Sequence, residues 1–169
     1  MNKLDKILDI LKEENIFIHY VAEIPCYNAD ALFVARNGTR MILVLEYLKN
    51  NIMKLTEVLA EELGHYYTTT GHNYSISNYF EKLKVDKCEN KALKWASEFL
   101  IEEDDLRVAF LNNFYHGSLD TIADELSVTK DMLVQRLYYL SLKDIMFRLD
   151  DKRYIVLTNF PSIYPFEEK

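Results

Sequence analysis

A change of period near position 51 does most to limit what this chain can fold into. Before it, Ile16 to Tyr20, Ala31 to Ala35 and Met41 to Leu45 are short apolar runs of β-branched, aromatic and aliphatic residues. Asn37-Gly38 lies between the last two runs, and this pair suits a tight hairpin because both residues tolerate positive φ. After it, Ile52, Leu55, Leu59, Leu63 and Tyr66 recur at helical spacing up to Gly71, the pattern of a helix with a glycine stop.

The remaining elements follow from the same reading. Leu4, Ile7, Leu8 and Leu11 give an amphipathic first helix that ends near Glu14-Asn15,. Helical patterns run over Lys87 to Ile101, Leu106 to Phe114, Leu119 to Leu126 and Lys130 to Leu140, with breaks at His116-Gly117 and Ser127,. Met146 to Leu149 and Tyr154 to Leu157 read as strands ahead of a Pro-containing tail,. The expected class is α+β: a small antiparallel sheet, a central helix and a helical C-terminal half. At 169 residues, with four Gly and three Pro, a single domain is expected over residues 1–169. The sheet and site helices occupy 1–115, and the helical pair and short terminal strands occupy 116–169.

Composition excludes some functions. A formal charge of −7 gives no general attraction to phosphate backbones or anionic membranes. No run approaches the ~20 apolar residues a membrane helix needs, and the N-terminal MNKLDKILDILKEE is too regularly charged for a signal peptide,. Cys26 and Cys88 stand far apart with no ligand cluster around either, so both read as reduced thiols and the expected compartment is the cytoplasm.

The chemistry is concentrated on the helix that follows position 51. At ~100° per residue, Glu61 and His65 sit about 40° apart and one turn apart, so both can reach one cation. Glu62 lies on the same side, while Leu59 and Leu63 point the opposite way. The expected helix therefore buries leucines and presents a Glu-Glu-His arc. Gly64 is costly inside a helix, by about 1 kcal/mol relative to Ala, and implies close approach of another element. Glu61-Glu62-Leu63-Gly64-His65 matches the H-E-x-x-H zincin pattern except that a carboxylate replaces the first histidine, so a zincin-like active-site helix is expected here,. Glutamate is itself a competent zinc ligand. The best third ligand is Glu89, which shares a helical face with Ala92, Ala96 and Phe99,. Its inward-pointing carboxylate wants a partner, which a metal, a lysine or backbone amides would each provide.

Leu59-Ala60-Glu61-Glu62-Leu63-Gly64-His65-Tyr66-Tyr67 resembles the L-A-H-E-L-G-H-Y motif of the ImmA/IrrE metallopeptidases. Glu89, Ala92, Trp95, Ala96 and Phe99-Leu100 resemble that family's later E-x-x-A motif, and Ile122 to Thr129 with Arg136-Leu137 resemble its following helical segment. The resemblance implies Glu61, His65 and Glu89 as ligands of Zn2+ or another divalent metal. It also implies Glu62 as general base on a water polarised there, and a helix-turn-helix repressor of a phage or mobile element as the protein cleaved. Tyr66, Tyr67, His72 and Tyr74 are candidate oxyanion donors by proximity alone.

Two other functions compete. One is a relative that keeps the fold as a protein-binding module without hydrolysis. The other is DNA binding through Leu119 to Leu140, whose Ser-Val-Thr turn has helix-turn-helix spacing,. From Ser118 to Asp144, Lys130, Arg136 and Lys143 face Asp120, Asp124, Glu125, Asp131 and Asp144, a net charge of −2. Phosphate contacts dominate DNA affinity, so direct nucleic-acid binding is not expected.

Overall fold

The structure, a computed structural model, describes residues 2–24, 29–68 and 79–169, with side chains from residue 85 onward in the last of these. Cys26, Gly71, His72 and Tyr74 lie outside the described residues. The chain forms two compact units, Met1–Ala96 and Ser97–Lys169, and its class is α+β as expected.

In the first unit, α1 (Lys3–Glu13) begins at Asn2, whose side chain accepts from the Asp5 amide at 2.8 Å, satisfying one otherwise unpaired first-turn donor. It ends where expected, at Glu14, with Asn15 at φ 54°. β1 (Ile16–Val21), β2 (Ala31–Arg36) and β3 (Thr39–Leu45) follow. Asn37 and Gly38 both have positive φ, 51° and 78°, between paired Arg36 and Thr39. This is the two-residue turn that the strands' right-handed twist favours.

β2 and β3 are antiparallel, but β1 runs parallel to β3 on its other side, giving the order β1-β3-β2. The small sheet is thus mixed where an antiparallel one was expected. Apolar runs specify strands and their buried faces but not the direction of a partner joined through a long connection. A 3-10 turn, Glu46–Asn50, with Leu48 fully buried, leads from β3 into α2 (Ile52–Thr68). α3 spans Tyr79–Leu100. Ile7, Leu11, Ile42, Val44, Leu59 and Leu63 form the core of this unit.

After the end of α3, the second unit contains α4 (Glu103–Asn112), α5 (Leu119–Glu125) and α6 (Lys130–Ser141). Ser118 and Thr129 cap α5 and α6 by accepting from the Thr121 and Met132 amides, and Ser127 takes φ 51° in the turn between them. β4 (Met146–Arg148), β5 (Arg153–Asn159) and β6 (Ser162–Glu167) make an antiparallel sheet. The Pro-containing tail is therefore the third strand. Its ladder against β5 pairs Pro165 with Ile155 and shifts register between Val156 and Asn159, an edge position that tolerates proline.

Candidate metal centre

Gly64 is where α2 meets α3. A β-carbon built at position 64 would overlap the Ala92 carbonyl oxygen and come within 2.9 Å of the Ala92 Cα. This is the close approach the glycine implied. Ala92 and Ala96 are fully buried, so small residues on both helices let the backbones touch. Glu89 lies one turn before Ala92 and His65 directly follows Gly64, so this crossing brings the two side chains together. His65 Nε2 is 3.3 Å from Glu89 Oε2.

Glu61 completes the group: one ligand atom from each of Glu61, His65 and Glu89 lies within 4.8 Å of the other two. Ligand atoms about 2.1 Å from a tetrahedral zinc are about 3.4 Å apart, so small side-chain adjustments would close this set on one ion. The donor chemistry, two carboxylates and an imidazole, suits zinc and harder divalent ions alike.

The Glu-Glu-His arc is not simply presented outward as expected. Glu62 is buried, with 8% of its surface exposed, and so are Leu55 to Ala60, Leu63 and Gly64. Only Glu61 and His65, both half-buried, keep appreciable exposure within the arc. The cause is β2, which packs against α2: the Phe33 amide donates to Glu62 Oε2 at 2.6 Å, and the Phe33 and Tyr66 rings are 5.5 Å apart. β2 is an edge strand, so this amide is available to a side chain.

Burial pushes the Glu62 carboxyl up to about 7, against the opposing pull of His65 and the Phe33 amide, while Glu61 and Glu89 add to the rise. Burial likewise raises Glu61, opposed by His65 and reinforced by Glu89. Burial alone would lower the His65 pKa. The hydrogen bond to Glu89 and the charges of Glu62, Glu89 and Glu61 outweigh it and hold the pKa above the ordinary value. Glu61 and Glu62, chiefly through burial, and His65, through its acidic neighbours, thus all shift toward holding a proton,.

Three participants escaped the sequence reading. Lys54 stands two turns before Glu61 on the same face, and Asp30 lies 3.9 Å from Lys54 Nζ while accepting from the Tyr47 hydroxyl at 2.6 Å. Both charges act on Glu61. The spacing of seven residues could have found Lys54, whereas Asp30 arrives through the fold. The third is Glu14. Tyr66 and Tyr67, named as oxyanion candidates, instead donate their hydroxyls to Glu14, at 2.6 and 3.2 Å. They are committed to the scaffold because a carboxylate at the end of α1 outcompetes solvent for them.

Comparison with protein families gives a match over residues 25–138, about two-thirds of the chain, to a peptidase family described as the IrrE N-terminal-like domain. The match includes α2 and α3 with all four candidate residues. No curated protein and no solved structure gives a match.

Proposed function

The chain belongs to the ImmA/IrrE family of metallopeptidases, and from that membership we propose that it is a zinc-type endopeptidase with Glu61, His65 and Glu89 as ligands. The observation that carries this reading is the convergence of those three side chains beside a buried glutamate. When bound, a divalent cation supplies Lewis acidity, drawing the pKa of water toward about 7 and polarising a scissile carbonyl.

The chain's own contribution is Glu62. Its Oε2 is held by the Phe33 amide, leaving Oε1 to take a proton from the attacking water and return it to the departing amine. Burial raises the proton affinity of this carboxyl, the direction that suits a general base working near neutral pH.

The proposed substrate is a helix-turn-helix repressor of a phage or mobile element, met in the cytoplasm. A role in binding DNA directly is disfavoured by what the three basic residues of the helical pair already do. Arg136 is buried, Lys130 contacts Asp120 at 2.8 Å and Lys143 contacts Glu98 at 3.2 Å. Among the described residues no helix is long and apolar enough to cross a membrane.

The test is cleavage of such a repressor by purified protein supplied with zinc. Glu62→Gln keeps the shape and should reduce cleavage by at least about 100-fold, since general-base catalysis typically contributes 10²–10⁴-fold. If the variant cleaves as well as the parent, Glu62 is not the general base; if the zinc-loaded parent does not cleave the repressor, the peptidase reading is wrong. The carboxylate at position 61 favours a second reading, a family member that binds the repressor without cutting it. Repressor binding with no cleavage by either protein would select it.

A further inference from the structure

We propose that Glu14 is a positioning residue for the metal centre: by gripping the Tyr66 and Tyr67 hydroxyls it holds the last turn of α2, and with it His65, in place against Glu89. This rests on the reading of Glu61, His65 and Glu89 as ligands.

Close approach to Ala92 requires a glycine at position 64, yet glycine is the poorest helix former apart from proline. His65 stands just past that position, in the turn His65 to Thr68. Where that turn sits against α3 depends on contacts from outside it. The Thr68 hydroxyl donates to the Gly64 carbonyl at 2.7 Å, but that bond lies within the turn and does not fix its position.

Glu14 supplies the external hold. Tyr66 and Tyr67 are successive residues whose side chains leave a helix about 100° apart. Both nevertheless reach the same carboxylate, Tyr66 at Oε2 and Tyr67 at Oε1. Their rings are 5.0 Å apart, and Tyr67 also stacks on Trp95 of α3 at 5.2 Å. Arg40 braces Glu14 from β3, donating to the Glu14 carbonyl and to the Tyr66 hydroxyl, both at 3.1 Å, with its guanidinium over the Tyr66 ring. The carboxylate thus ties the end of α1 and the start of β3 to the turn that carries His65. Removing it takes that hold away, and His65, one ligand of the three, shifts out of register.

The test is titration of the full chain with Co2+, whose visible absorption reports both affinity and ligand geometry. The parent should bind with a ligand-field spectrum. Glu14→Ala should weaken binding at least ten-fold and reduce that band, while Glu14→Gln, which keeps one acceptor oxygen, should recover part of both. The Tyr66→Phe, Tyr67→Phe double variant should reproduce Glu14→Ala, and adding Glu14→Ala to it should cause no further loss. In the metal-free protein, amide hydrogen exchange at residues 66–68 should quicken in Glu14→Ala while the first turns of α2 keep their protection. Parent-like Co2+ affinity and spectrum in Glu14→Ala, or a spectral loss the double variant does not share, would overturn this proposal alone. Absence of a Co2+ spectrum in the parent would overturn the ligand assignment beneath it.

Discussion

Glu62 in the first unit and Arg136 in the second are both buried ionisable side chains, 8% and 3% exposed, but their surroundings have opposite character. Around Arg136 the groups are complementary. Its Nε donates to the Ile101 carbonyl at 3.0 Å, and Glu103 and Glu98 carboxylate oxygens stand 3.5 and 3.8 Å from its terminal nitrogens. Around Glu62 the neighbours include two more carboxylates, and one backbone amide is its described hydrogen-bond donor. A buried charge with matched partners holds a fold together. One crowded by carboxylates, with a histidine as the opposing charge, costs stability, and such crowding is commoner at functional sites than elsewhere,.

Substitutions can break that contrast, and the largest expected effect is at Arg136. Arg136→Met keeps much of the side-chain volume but leaves the Ile101 carbonyl and two carboxylates without their cation. Urea unfolding should show a loss of about 3 kcal/mol, toward the lower end for a broken buried pair because Glu98 and Glu103 keep some solvent,.

Glu62→Gln should act in the opposite direction. A carboxyl that titrates near 7 when folded and near 4.5 when unfolded binds more protons in the folded state across that window. Its favourable contribution is therefore complete below about 4.5 and is lost as pH rises through about 7. His65, with its raised pKa, shifts stability in the same direction. Unfolding of the metal-free parent in a chelator should show stability falling between pH 5 and 8. Glu62→Gln should flatten the curve and be more stable at pH 8 by about 2 kcal/mol. A parent more stable at pH 8 than at pH 5 would contradict the account.

Gly64→Ala comes next. Better helix propensity returns about 1 kcal/mol, but overlap with the Ala92 backbone costs typically 1–3 kcal/mol, so a net loss of about 1 kcal/mol by thermal or urea unfolding is expected, with weakened metal binding. The smallest effect belongs to Asp120→Ala, which removes the exposed 2.8 Å pair with Lys130 and should change stability by no more than about 0.5 kcal/mol.

These differences also explain what the sequence could and could not convey. Glu61, Glu62, His65 and the meaning of Gly64 were legible because helix geometry converts spacing directly into proximity. Glu89 was legible as an inward carboxylate through Ala92 and Ala96, although several partners could have satisfied it. The Asn37-Gly38 turn and the helix limits at Asn15, Ser118 and Thr129 followed from local backbone chemistry. Burial of Glu62 was not legible, because it depends on an edge strand about 30 positions earlier,. Nor were the direction of β1, the tail strand β6 and the Glu14 grip on two tyrosines, all of which depend on which distant segment happens to be the neighbour.

Binding of one divalent ion by Glu61, His65 and Glu89 together underlies the proposed chemistry. Its most direct test is elemental analysis after equilibration with a small excess of zinc and gel filtration, applied to the folded parent and to Glu61→Ala, His65→Ala and Glu89→Ala. One zinc per chain in the parent, and a large loss in each variant with the helical circular dichroism retained, is the predicted result. A parent that carries no zinc, or variants that keep it, would contradict the claim.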